Sequence, residues 1–253
     1  MNNLQVCLPY QPCVYRCPMC VARGHKHEYK FENLYSKDFN QWANLLHNRL
    51  ARGDIDNVVI TGECDPTQNI RFVADTLRII RALPPSWDGN VEITTHNQKY
   101  ASVFRNLRPD VISLSATNAR EYLSSWQAEK PIYLAKHYRL VILLTDEFNF
   151  LTPENFSPMG FDQVTFKTLQ YGEDGVVNRW IFEHKMDDEH LKNIQAIVDK
   201  FNSNDSVSVR LDTSCQTADG RYKIFRCDGK IYPSWEASNP EGVKTWDLTT
   251  ESI

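Results

Sequence analysis

Runs of β-branched and other apolar residues alternate with stretches of helical spacing along almost the whole chain. Leu4–Leu8, Asn57–Thr61, Val91–Thr95, Val111–Ser115, Arg139–Leu144, Gln163–Leu169 and Val207–Leu211 predict strands, mostly continuous runs suited to burial on both faces of a parallel sheet. Between them, Asp38–Leu50 places Phe39, Trp42, Leu46 and Leu50 on one helical face. Asn69–Leu83 does so with Val73, Leu77 and Ile80 before Pro84 and Pro85 end it. Asp187–Phe201 repeats the pattern with Leu191, Ile194, Val198 and Phe201, behind an acidic first turn that suits the helix dipole. Such alternation builds β-α units on a parallel sheet, so the predicted class is α/β. The segment Thr213–Pro233 differs: two short strands, Tyr222–Cys227 and Lys230–Tyr232, flank Asp228-Gly229, a pair that favours a tight hairpin turn.

With 253 residues, 42% of them hydrophobic and 24% charged, the chain suits one large α/β domain rather than two small ones. The net charge of −4 creates no whole-chain basic field, so nucleic acid is not an expected partner. Met1-Asn2-Asn3-Leu4 lacks the basic and apolar regions of a signal peptide, and no stretch nears the roughly 18 apolar residues that span a bilayer. The expected compartment is the cytoplasm, with no membrane partner. In that reducing setting the seven cysteines are expected as metal ligands or core thiols, not disulfides.

Three cysteines are clustered. Cys13, Cys17 and Cys20 have CxxxCxxC spacing, which lets one short loop wrap three thiolates around a single metal centre. Two chemistries fit. A zinc ion needs a fourth ligand, which His25 or His27 supplies in principle. An iron–sulfur cubane held by three cysteines leaves one iron without a protein ligand, and an open coordination position marks catalysis rather than electron storage.

The triad, with Met19 before its last cysteine, resembles the CxxxCxΦC hallmark of the radical S-adenosylmethionine superfamily, found in the loop after the first strand. The resemblance implies that Cys13, Cys17 and Cys20 bind three irons of a [4Fe–4S] cluster. S-adenosylmethionine then chelates the fourth iron, and Met19 contacts its adenine. After the second predicted strand, Thr61-Gly62-Glu63-Cys64-Asp65-Pro66-Thr67 is similar to the family's GGE(P) loop, with Thr61 in place of the first glycine. Gly62 and Glu63 are thereby implied to hold the cofactor's methionine ammonium; an ordinary turn capped by Asp65 or Thr67 explains the same residues. The third strand ends in Thr94-Thr95-His96-Asn97 and the fourth in Ser113-Leu114-Ser115, both similar to the family's strand-end polar sites. They give Thr95 and Ser115 as cofactor contacts and His96 as a substrate contact.

Lys167, Gln170 and Arg210 are further candidate substrate residues, because charged groups in apolar strands are costly unless paired or used. Structural pairing of Lys167 or Arg210 with Asp212 is the alternative. The run from Cys215 through Asp228-Gly229-Lys230-Ile231-Tyr232-Pro233 resembles the start of SPASM or twitch extensions, with Ser234 where a cysteine is usual. Too few cysteines remain for a second cubane, so Cys215 and Cys227 are expected as small core residues.

Together these features imply a partial (β/α)6 TIM-like barrel over residues 1–212, followed by a hairpin cap and tail over 213–253. The implied activity is reductive cleavage of S-adenosylmethionine to a 5′-deoxyadenosyl radical that abstracts hydrogen from a peptide, protein, small molecule or nucleotide. An external electron donor such as flavodoxin or ferredoxin is implied as partner. The alternative is a non-catalytic iron–sulfur or zinc protein acting in binding or electron relay.

Overall fold

The computed structural model describes residues 2–20, 32–169, 179–203, 207–213 and 222–233. The strands are β1 Asn3–Leu8, β2 Asn57–Gly62, β3 Asn90–Thr95, β4 Val111–Ala116, β5 His137–Leu144, β6 Gln163–Thr168, β7 Ser208–Asp212, β8 Tyr222–Phe225 and β9 Ile231–Tyr232. They form one mostly parallel sheet in the order β7-β6-β5-β4-β3-β2-β1-β8-β9, with only β8 and β9 antiparallel to each other. All seven predicted parallel strands are present in chain order, one more than the six expected of the partial barrel.

The hairpin also forms around Asp228 and Gly229, but β8 is itself hydrogen-bonded into the sheet, parallel to β1, with Asn3 opposite Tyr222 and Val6 opposite Phe225. Its register explains why. In β1 only Asn3 is not buried, and an apolar strand with an open backbone edge must be covered.

The helices are α1 Leu34–Lys37, α2 Phe39–Leu50, α3 Ile70–Arg81, α4 Tyr100–Val103, α5 Ala119–Ser124, α6 Arg179–His184 and α7 Asp188–Asn202. Asp38, Asn69 and Asp187 cap α2, α3 and α7 by accepting from backbone N–H groups. Beneath these helices Trp42, Leu46, Leu50, Phe72, Val73 and Ile194 are buried, most of them at positions chosen by helical spacing. Trp42 also fastens the hairpin, donating from Nε1 to the carbonyl of Arg226 at 3.1 Å.

The two faces of the sheet differ, and β5 shows how. Tyr138, Leu140, Ile142 and Leu144 are buried, whereas the alternate residues Arg139, Val141 and Leu143 are half-buried and line a cavity of about 350 Å³. Gln5 of β1, Glu92 of β3, Arg210 of β7 and Tyr222 of β8 line the same cavity. A flat sheet would hold the first and last of these strands far apart, so the sheet curves around the cavity.

Gly62 ends β2 with φ 141, opposite Leu8. A Cβ there would come within 2.5 Å of Cys7 Sγ and 2.8 Å of the Leu8 backbone nitrogen. Gly62→Ala is therefore expected to cost about 2–3 kcal/mol from overpacking and strain, read as a lower urea midpoint at unchanged slope. A midpoint within error of wild type would show that the β1–β2 junction relaxes freely.

Candidate active site

The loop after β1 carries the three clustered cysteines. Cys20 N–H donates to the carbonyl of Cys17 at 3.1 Å, and Arg16 turns the chain with a left-handed φ of 47. The loop after β2 clamps it: Gln68 accepts from Val14 N–H at 3.1 Å and donates to the Pro12 carbonyl at 3.0 Å. Cys13, Cys17 and Cys20 are all partly exposed, unbridged by disulfides, and line the cavity. Met19, Gly62, Glu63, His96 and Ser115 line it too. The structure thus brings into one cavity residues from β1, β2, β3 and β4 ends that the sequence placed in separate motifs.

Burial pushes the Cys17 thiol up to about 12, helped by the neighbouring Cys20, Glu121 and Cys13. Cys64, also in the cavity wall, is pushed up to about 12 mainly by burial, with Cys13 as a further contributor. The ligand form of a cysteine is the thiolate, so a metal centre bound here would displace these protons. Among the described residues no three His, Cys, Asp or Glu side chains are gathered closely enough to ligate one ion. A cubane makes a different demand, since each thiolate binds its own iron, and three cysteines of one loop facing one cavity fit that donor set. His25 and His27, the histidines considered for zinc, lie outside the described residues, as does Gln170.

Asp65 organises the strand ends. Its buried carboxylate accepts from Thr67 N–H at 2.9 Å, Thr67 Oγ1 at 2.6 Å, Thr95 Oγ1 at 2.8 Å and His96 N–H at 2.7 Å. It also caps the short 3-10 turn Pro66–Gln68, so the capped-turn explanation of this loop holds alongside its place in the cavity wall. Thr95, 1% exposed, spends its hydroxyl on Asp65 and is absent from the cavity lining. Asp65→Ala is expected to lose about 3 kcal/mol, because it removes a cap and strands buried donors. Asp65→Asn should lose less, and equal losses in urea unfolding would show that the charge itself carries the effect.

Glu63 is held by Arg226, which follows β8 and donates from Nη1 to Oε1; the two side chains are only 10% and 4% exposed. Deeper in the cavity, Glu92 accepts from Ser113 Oγ at 2.5 Å and from Arg139 Nη1 at 2.5 Å. Arg139 in turn donates to Gln163 Oε1 at 2.9 and 2.7 Å. This ladder crosses β3 to β6 on alternate, inward-facing positions. On the β6 and β7 side, Lys167 and Arg210 line the cavity; Arg210 Nε donates to Thr165 Oγ1 at 3.1 Å, and Lys167 stands opposite Asp212 in the register.

Sequence reasoning missed Arg226, Glu92, Arg139 and Glu121, and it considered Asp65 only as a cap. Glu92 and Arg139 left a signal, as charged residues at alternate positions of apolar strands. Arg226 left none, because its partner is 163 residues away.

Burial holds the imidazole of His96 below its usual value. The ring lies 3.8 Å from Cys17 Sγ through Nε2, and 3.9 Å from Glu121 Oε2 through Nδ1.

No family model and no curated protein matches the chain. Among solved structures it is similar to coproporphyrinogen III oxidase (HemN) from Escherichia coli, described as a radical SAM enzyme, with a TM-score of 0.44 and 9% identity over 80% of this chain. The chain spans about half, 52%, of that protein's length. It is also similar to TYW1 with a lysine-pyruvate adduct bound, with a TM-score of 0.42, 12% identity, and coverage of 79% of this chain and 71% of that one. Likenesses this distant carry no argument about this chain.

Proposed function

We propose that this chain is a radical S-adenosylmethionine enzyme whose [4Fe–4S] cluster is held by Cys13, Cys17 and Cys20. The observation that supports it best is that the three thiols of the CxxxCxxC loop line one cavity with Met19, Gly62, Glu63 and Ser115. When bound, the cluster supplies the electron that cleaves S-adenosylmethionine to methionine and a 5′-deoxyadenosyl radical.

The chain's own residues bind and orient. Glu63 receives the cofactor's ammonium; its carboxylate has several lone-pair sites, so Arg226 on Oε1 leaves acceptor capacity. Gly62 lets the backbone approach closely, Met19 packs on the adenine, and Ser115 offers a hydroxyl to the cofactor. The Glu92–Arg139–Gln163 ladder fixes the cavity floor without mobile charge. Lys167 and Arg210 face the substrate, which in this reading is a peptide or small molecule carrying an anionic group. The curved sheet is then a partial barrel in which β8, paired with β1, belongs to the core rather than to a separate cap, and flavodoxin or ferredoxin supplies the electron. No helix among the described residues is long and apolar enough to cross a membrane.

The test is anaerobic reconstitution, addition of dithionite and S-adenosylmethionine, and chromatography for 5′-deoxyadenosine, with Cys17→Ala as control. Product from wild type alone supports the proposal. A stable cluster that never cleaves the cofactor, with or without candidate substrates, points to electron relay; bound zinc and no cluster overturns the reading.

A further inference from the structure

We propose that His96 is a positioning residue for Cys17, donating a hydrogen bond from Nε2–H to the sulfur when that sulfur is a cluster ligand. The inference rests on the cluster reading above.

The geometry is specific. Nε2 lies 3.8 Å from Cys17 Sγ, within reach of an N–H···S hydrogen bond. The ring is fixed by its surroundings: its own backbone N–H is held by Asp65 Oδ2 at 2.7 Å, and the Tyr15 ring lies 5.6 Å away by centroid. Its Nδ1 is buried without a hydrogen-bond partner among the described residues. The Glu121 carboxylate stands 3.9 Å from that nitrogen, itself held by Thr117 N–H at 2.7 Å and Thr117 Oγ1 at 2.8 Å. In the neutral ring one nitrogen carries the proton, and with no hydrogen-bond partner at Nδ1 it is the Nε2 edge, facing the sulfur, that has a group within reach.

The donor direction follows from chemistry. A thiolate bound to iron has no proton to give, so the imidazole must be the donor. Such a bond withdraws charge from the sulfur and favours the reduced, more negative cluster, in the way that surrounding hydrogen bonds tune metal centres. Asp65 thereby links the loop after β2 to the cysteine loop: it seats His96, and His96 seats Cys17.

The experiment compares full-length wild type, His96→Ala and His96→Gln, each reconstituted anaerobically. Two quantities are read: the midpoint potential from a redox titration followed by EPR, and iron loss to a chelator. In His96→Ala the midpoint is expected to move to more negative values, with cluster affinity falling about 10- to 100-fold. His96→Gln, whose amide N–H extends toward the position of Nε2, is expected to recover much of both. Should His96→Ala not fold, His96→Leu replaces it as the non-donating comparison. Unchanged potential and unchanged retention in the non-donating variant overturn the role of His96. A wild-type protein that assembles no cluster overturns the cluster reading itself, which separates the two failures.

Discussion

Replacing any one of Cys13, Cys17 or Cys20 by alanine is expected to reduce both cluster iron and 5′-deoxyadenosine formation to background. The three single variants and the triple variant should be alike, because residues that act as a unit do not contribute additively. Each cysteine supplies a donor that nothing else in the loop replaces. Cys64 is near but belongs to the loop after β2, and its thiol donates toward the Pro9 carbonyl at 3.8 Å. Cys227→Ala is the control: that thiol is buried, pushed up to about 11 by its burial, and lies outside the cavity lining. It should keep full iron content and full product. Iron counted per chain, together with the visible spectrum and product yield, decides the matter. Loss of product with retention of a complete cluster in any single-cysteine variant would sink the proposed ligand set.

Arg226→Met is expected to destabilise the fold by about 3–5 kcal/mol, since it leaves the Glu63 carboxylate buried without its partner. The pair is 4% and 10% exposed, so solvent screening does little to soften the loss. Replacing both groups, as Arg226→Met with Glu63→Gln, should recover most of the stability, because a buried pair gains little over a neutral substitute once its desolvation is counted. Urea unfolding of the two single variants and the double variant measures the coupling. Additive losses would mean that the contact carries no pair energy. The double variant also separates stability from binding: if Glu63 receives the cofactor's ammonium, it folds well and still binds S-adenosylmethionine weakly.

Much of the fold was legible because it is written locally. A strand in a parallel sheet needs a β-branched apolar run, and Val58, Val59 and Ile60 or Val111, Ile112 and Leu114 announce themselves. Asp38, Asn69 and Asp187 open the helical ranges read from the sequence, and in the structure each caps its helix by bonding a backbone N–H within a few residues. The cysteine loop was legible for the same reason. The rest was hidden by distance along the chain. Glu92 meets Arg139 only because β3, β4 and β5 are neighbours and their inward faces coincide. Thr95 looked like a ligand group at a strand end, yet its hydroxyl is held by Asp65, a partner no spacing rule selects.

The α/β class, the strands, the main covering helices, the Asp228-Gly229 turn and the three-thiol loop follow from local residue patterns, because each depends on residues adjacent or one helical turn apart. That β8 covers the open edge of β1, that Arg226 reaches Glu63 and that Asp65 holds the His96 backbone beside Cys17 emerge from the folded arrangement of the sheet. Those outcomes depend on which strands become neighbours and which faces curve inward. That is settled by burying the apolar edges and faces of the whole chain at once, so no local stretch of residues contains it.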